Sequence, residues 1–361
     1  MEKIVDEGEV KLKIDSADVV SKDLEVFYNP KMGLNRSISI LLLKILNNKN
    51  MRICLPLAGT GVRAVRMLKE LPSELIDKIY VNDLNLKMND YLKTNLELNK
   101  LSDEKLNISN VDARKLFLED FGFDYIDIDP YGSPNVFLDG AINRISNEGI
   151  LAVTATDTAC LAGTYINTCI RKYWAKPRLC PQKHEIALRI LARKVQLLGL
   201  QYNKALIPIL SYHFEHYYRI FFIVKRGKKE CNNLFNEFGE CEYDNKTGNF
   251  SLGKGIGPMY LGKLQNCDVV GKMFLNSDKI SKKLMEKLFF ESSFNKAGHY
   301  DIHDVCEKNK IPSVSSNDVL SELISRGFSA TKVHMNQYGI RTDASIEEFL
   351  EIIKMLNGLE K

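Results

Sequence analysis

The stretch FDYIDIDPYGSP, residues 123–134, is an apolar, strand-like run that ends on Asp127 and Asp129, then Pro130, Tyr131 and Gly132. At the mouth of a sheet, the side-chain types of Asp129, Pro130 and Tyr131 make a holder for a planar amine. The Asp129 carboxylate accepts a hydrogen bond from an exocyclic NH2, and the carbonyl before or of Pro130 accepts a second. Two acceptors draw the nitrogen towards tetrahedral geometry and aim its lone pair, which makes it a better nucleophile. Proline fixes the turn. Tyr131 offers a ring on which a base can stack.

A second set of residues suits a nucleoside cofactor. In LAGTGVRAVR, residues 57–66, Gly59 and Gly61 make a tight turn before a helix that begins at about Val62. Glycines let the backbone approach a ligand, and the helix N-terminus offers unpaired N–H groups. A lone G-x-G is weak, but the following strand ends strengthen it. Asp83 closes KIYVND, where a carboxylate accepts both hydroxyls of an adenosine ribose. Asp112, in VDAR, closes the next strand, where a polar side chain can take the adenine amine. A nicotinamide dehydrogenase has no use for an amine holder on its fourth strand. An enzyme that methylates an exocyclic amine needs one beside a methyl sulfonium, so S-adenosyl-L-methionine is the expected cofactor.

These residues need a scaffold that brings strand ends together. Strand-like runs at 51–59, 78–83, 106–113, 123–130 and 149–157 alternate with helical ones. An amphipathic helix follows at 184–199, then two strands at 204–210 and 217–226. This alternation predicts an α/β fold with a doubly wound, mainly parallel sheet, in which ligands bind at the carboxyl ends of the strands. After KRGKK the composition shifts, and 229–270 reads as irregular and turn-rich. A helix at 281–294, a helix pair and a β-prone hairpin at 329–342 then predict a smaller α+β domain with winged-helix-like elements. The expected division is 1–228, with an N-terminal extension over 1–30, and 229–361.

The 361 residues, 45% hydrophobic and 27% charged, are those of a globular protein with a sizeable core. No apolar run approaches the roughly 20 residues of a membrane span. The charged N-terminus is no secretory signal, so a cytoplasmic location is expected. The eight cysteines are scattered without a C-x-x-C pair, and read as reduced. His213 and His216 have H-x-x-H spacing inside an aromatic strand, which favours a structural role over a metal site. A net charge of +4 permits an anionic partner without demanding one. Basic clusters stand at 171–178, 225–229 and 281–283.

Taken in order, VFYNPKMGLNRSIS (26–39), GTGVRAVR (59–66), YIDIDPYGSP (125–134), GILAVTATDTACLAG (149–163), GPMYLGKL (257–264) and GFSATKVHMNQYGIRTDA (327–344) resemble one family along nearly the whole chain. That family is the tRNA (guanine(26)-N2)-dimethyltransferases, class I S-adenosylmethionine-dependent enzymes with a Rossmann-like catalytic domain. Beside the glycine turn at Gly59 and Gly61, the resemblance implies that Arg36, Arg63, Asp83, Asp112 and Ala113 contact S-adenosyl-L-methionine. It also implies that Asp129 holds the guanine amino group, with Phe27 and Tyr131 flanking the base. Guanidinium forks suit a methionine carboxylate, which fits Arg36 and Arg63. The partner implied is tRNA, bound by a monomer through its C-terminal half, with no membrane and no protein partner. Some members carry paired cysteines for zinc after the catalytic domain; here Cys231 and Cys241 stand alone, so no metal is expected. Two rival readings are an enzyme acting on another exocyclic amine (DNA adenine, a protein glutamine, a different tRNA guanosine) and a non-catalytic RNA-binding protein on the same scaffold.

Overall fold

A computed structural model describes residues 2–15, 26–294 and 297–359 of the chain. It opens with an antiparallel hairpin, β1 (Glu2–Glu7) and β2 (Val10–Asp15). Val10, Leu12 and Ile14 are buried while Lys11 is exposed, the period of two that a half-buried strand requires. The charge of this segment hid that alternation, and the sequence pattern gave it no fold beyond an extension.

The central sheet grows from α1 (Gly33–Leu46), β3 (Met51–Leu55), α2 (Val62–Glu70), β4 (Ile76–Asn82), α3 (Met88–Leu98), β5 (Leu106–Ser109), α4 (Ala113–Glu119), β6 (Phe123–Ile128), α5 (Asn135–Arg144) and β7 (Ile145–Ala155). The chain continues through α6 (Thr158–Leu161), α7 (Ile166–Tyr173), α8 (Lys183–Leu200), β8 (Lys204–Phe214) and β9 (Tyr217–Arg226). Seven strands lie in the order β5-β4-β3-β6-β7-β9-β8. The first five are parallel, whereas β9 runs antiparallel to both its neighbours. Helices cover both faces, so the strands are largely apolar, with buried charges such as Asp127 of β6 and Arg219 of β9 paired to each other. Along β3, Cys54 packs into one core cluster, and Ile53 and Leu55 into the other. The chain winds outward from β3 to β5, then returns to β6 on the other side of β3. The topological switch point therefore lies between β3 and β6, with Asp129 just past its rim.

Beyond β9 come α9 (Lys228–Phe235), β10 (Phe238–Tyr243), β11 (Phe250–Leu252) and β12 (Ile256–Tyr260), with the three strands forming an antiparallel sheet. The irregular stretch expected over 229–270 is thus largely ordered. Its turns are polar, but Cys241, Phe250, Ile256 and Met259 are buried in the same cluster as Ile186 and Ile190 of α8. Burial at about 25 cal/mol per Å2 outweighs a weak local strand preference. Next, α10 (Cys267–Leu275) and α11 (Lys282–Glu291) join the cluster of α1 through Val270, Met273, Met285 and Leu288.

The remaining elements are β13 (Tyr300–Asp301), α12 (Ile302–Asn309), α13 (Ser316–Ser325), β14 (Ala330–Lys332), β15 (Gly339–Thr342) and α14 (Ile346–Leu356). Their sheet has the order β13-β15-β14, and Ile302, Val305, Leu323, Ile340 and Phe349 form a core of their own. A strand, two helices and a hairpin folded back on that strand make the winged-helix-like arrangement. Its joint to the sheet domain is polar and buried. Glu185 of α8 accepts hydrogen bonds from Arg189 Nε at 3.0 Å, Arg341 Nη2 at 3.0 Å and the Gly298 amide at 2.9 Å. Burial alone would raise the Glu185 carboxyl, but Arg341 and Arg189 outweigh it and hold it well below the carboxylate range.

Candidate active site

The chain leaves β6 through Asp129, Pro130 and Tyr131, then turns at Gly132, whose φ of +93° is left-handed. The loop is stitched to the end of β7: the Gly132 amide donates to Thr156 Oγ1 at 2.6 Å, and the Thr156 amide donates to the Gly132 carbonyl at 2.9 Å. Across the opening stands Phe27. The Phe27 and Tyr131 rings lie 6.2 Å apart between centroids at 76°, and Tyr131 is 71% exposed. Between them opens a cavity of about 730 Å3 lined by Phe27, Arg36, Gly59, Arg63 and the Asp129–Gly132 loop. That volume lies in the range of cofactor and substrate pockets.

The opposite wall is the glycine turn. Gly59 has a φ of +57°, and a Cβ placed there would come within 2.7 Å of the Phe27 carbonyl oxygen, so only glycine fits. The Gly59 amide donates to Asp83 Oδ2 at 2.8 Å, which ties the end of β4 to the turn. Gly61 caps α2 with no side-chain hydrogen bond, so the first amides of that helix have no capping side chain. Asp112 caps α4 by accepting from the Arg114 amide at 2.8 Å, and also pairs with the Arg114 guanidinium at 2.6 Å. Asp112 and Ala113 stand at the end of β5, outside the cavity lining.

Electrostatics tie the end of β6 and the Asp129–Gly132 loop to α2 and to β9. Arg63 Nη2 donates to Asp129 Oδ2, while Nη1 lies 3.2 Å from Asp127 Oδ2. Asp127 also takes both Nη1 and Nη2 of Arg219 at 2.8 Å, and the Tyr125 hydroxyl at 2.6 Å. Burial would raise the Asp127 carboxyl, but Arg219 and Arg63 bring it below its ordinary value. Arg36 faces the cavity yet is bound from behind: its Nε donates to Glu7 Oε1 at 2.6 Å, and its Nη2 to Glu7 Oε2 and the Asn29 carbonyl. Burial pushes the Glu7 carboxyl up, and Arg36 with Tyr28 and Arg66 more than offsets this, down to about 2.

The cavity thus brings together Phe27, Arg36, Gly59, Arg63, Asp129, Pro130 and Tyr131, with Asp83 hydrogen-bonded directly behind Gly59. Sequence reasoning assigned no role to Arg219, Asp127, Glu7, Thr156 or Asp157. A detectable signal existed for Arg219, an arginine inside the apolar run YYRIFFIV, where an unpaired charge would be costly. His213 and His216 part company: the His213 ring stacks on His184 at 3.8 Å, while His216 lines the cavity.

The sequence pattern of the family described as N2,N2-dimethylguanosine tRNA methyltransferase matches residues 8–354. The chain belongs to that family. Relatives span its whole length. It is 36% identical to the tRNA (guanine(26)-N(2))-dimethyltransferase of Methanobrevibacter smithii, covering 99% of this chain and 98% of that one. It is 32% identical to the tRNA (guanine(26)-N(2)/guanine(27)-N(2))-dimethyltransferase of Aquifex aeolicus, covering 98% and 96%. Among solved structures, Trm1 from Pyrococcus horikoshii in complex with S-adenosyl-L-methionine superposes with a TM-score of 0.89 at 33% identity, covering 97% and 99%. For a dimethylguanosine methyltransferase of this family, the donor set fits the cofactor. An uncapped helix N-terminus and a glycine wall suit the close approach of its main chain, while the guanidinium groups of Arg36 and Arg63, a type that suits a carboxylate, are already paired with Glu7 and with Asp127 and Asp129.

Proposed function

We propose that Asp129, Pro130 and Tyr131 form the amine-holding clamp of this enzyme, with the target base turned out of the tRNA into the cavity between Phe27 and Tyr131. As a member of its family, the protein dimethylates the exocyclic N2 amine of guanosine 26 in tRNA. The clamp reading is carried by one observation: both rings, the Asp129–Pro130 turn and the Gly59 wall line a single cavity at the switch point of the sheet.

S-adenosyl-L-methionine supplies an electrophilic methyl group when bound. Around it, Gly59 and Gly61 would admit the close approach, Asp83 would take the ribose hydroxyls, and Asp112 with Ala113 would take the adenine end. The methionine carboxylate would lie at Arg36 and Arg63 and would share guanidinium groups that Glu7 holds at Arg36 and Asp127 and Asp129 hold at Arg63. Arg63 already holds Asp129 Oδ2, which leaves Oδ1 to accept from the guanine NH2, with the Pro130 region supplying the second acceptor. The amine, its lone pair aimed at the methyl carbon, would take the methyl as the S–CH3 bond breaks and the neutral thioether leaves, and Asp129 or water would accept the proton it sheds. Stacking on Phe27 and Tyr131 offsets the cost of extruding the base by about 1–3 kcal/mol per base.

The reading divides the chain into a catalytic part, 1–228, and a tRNA-binding part, 229–361, acting as a monomer in the cytoplasm. Among the described residues no helix is long and apolar enough to cross a membrane, and all eight cysteines are free. Mass spectrometry of nucleosides from unmodified tRNA incubated with the protein and S-adenosyl-L-methionine tests the whole. N2,N2-dimethylguanosine that disappears when guanosine 26 is replaced is the expected result; a different methylated nucleoside would keep the clamp and overturn its target.

A further inference from the structure

We propose that α7 and the connection from α7 to α8 hold the tRNA phosphates beside the extruded nucleotide, a docking face that rests on the cavity reading above. From Thr158 to His184 the chain has no Asp or Glu, while Arg171, Lys172, Lys176, Arg178 and Lys183 fall within it. Arg171, Lys172 and Lys176 are exposed, and so are two aromatic rings beside them, Tyr165 at 61% and Trp174 at 48%. Cations that track a backbone, interleaved with rings on which bases stack, are the chemistry of a single-stranded or locally opened RNA. Lys194 Nζ sits 2.9 Å from the Trp174 ring centroid and holds that ring in place.

This face is continuous with the clamp. The Tyr173 hydroxyl donates to Asp157 Oδ1 at 2.7 Å and lies 2.9 Å from Ser133 Oγ. Asn135 Nδ2 donates to the Lys172 carbonyl at 2.9 Å, and Lys172 Nζ lies 3.6 Å from Asp157 Oδ2. Asp157 lines the cavity, and Ser133 directly follows Gly132 of the clamp loop. A nucleotide turned into the cavity leaves its flanking phosphates at that rim, where the cations stand. On the winged-helix-like module, α13 carries no Lys or Arg of its own; its Asp318 is exposed and its Glu322 pairs with Arg326 at 2.8 Å.

The test measures unmodified tRNA binding at several salt concentrations for the full-length protein and its variants. The double variant Arg171→Ala/Lys176→Ala should bind about tenfold more weakly. The slope of log K against log[salt] should fall by about 0.7–0.9 for each phosphate that is no longer neutralised. Tyr165→Ala should weaken binding with little change in that slope, because stacking releases no counterions. Calorimetry with S-adenosyl-L-methionine should give the wild-type affinity in both, which establishes that they are folded. If wild type binds and methylates tRNA while the double variant keeps its affinity and slope, this face is not the docking surface and the proposed function stands. If wild type neither binds nor methylates tRNA, both fall.

Discussion

Arg63 bonds Asp129 through Nη2 while its Nη1 reaches Asp127, so one guanidinium bridges two carboxylates at the end of a single strand. Arg63 rises from α2, the helix whose glycine turn forms the opposite wall of the cavity. The proposed amine clamp and the glycine wall of the cavity therefore share a side chain. Asp127 is already matched by Arg219, so the charge that Arg63 carries is left to orient Asp129.

Asp129→Ala should keep the affinity for S-adenosyl-L-methionine and lose methylation by about 10²–10³-fold, the usual cost of deleting one preorganised group at a reacting centre. Asp83→Ala should do the reverse and weaken cofactor binding about tenfold or more, since it removes charge-assisted hydrogen bonds. Calorimetry and single-turnover methylation of the two variants separate these effects. Wild-type turnover in Asp129→Ala would remove that carboxylate from the mechanism.

Glu7→Gln should loosen Arg36 and Arg66 together, because both donate to that carboxylate from buried positions. Breaking a buried ion pair on one side costs about 3–5 kcal/mol. Glu7 titrates at about 2 in the fold and near 4.5 when unperturbed, so its contribution is complete above about pH 4.5 and is lost as pH falls towards 2. Urea unfolding of variant and wild type should thus converge over that window. A gap independent of pH would refute the assignment.

At the joint with the winged-helix-like module, Glu185→Gln leaves Arg189 and Arg341 buried without their carboxylate. A loss of about 3–5 kcal/mol is expected, with residues 300–356 becoming protease-sensitive first because they hold a separate core. Glu148→Gln removes the exposed pair with Lys225 and should change stability by under about 1 kcal/mol. Equal effects of the two substitutions would mean that the joint is not held by Glu185.

The stacked rings of His184 and His213 set a pH dependence. Burial pushes them down to about 4 and about 3, with Lys183 and His334 adding repulsion. The unfolded chain, titrating near 6.5, binds more protons in between. Stability is therefore level above about pH 6.5 and falls as pH drops towards 4. Melting temperatures between pH 8 and 4.5 should show the fall, and His213→Phe should flatten it. A variant as pH-sensitive as wild type would assign the effect elsewhere.

The sheet strands were readable as apolar runs because strands covered on both faces carry little else. The proposed clamp is legible in the sequence because Asp129, Pro130 and Tyr131 are consecutive, so one turn suffices to bring them together. The glycine turn was equally local, as were the strand-end carboxylates at Asp83 and Asp112. Other features had no local signature. The β1–β2 hairpin sits in a charged segment, and the β10–β12 sheet is ordered chiefly by burial against α8. Arg219 meets Asp127 across 92 residues of chain, and Glu185 meets Arg341 across 156. By itself the sequence determined which strand ends carry functional groups and the chemistry those groups could perform, since turns and periodicity act over a few residues. Only the tertiary structure decided which cation neutralises which carboxylate. A buried charge takes its partner from whatever chain folding brings alongside, and that is set by strand order rather than by spacing along the sequence.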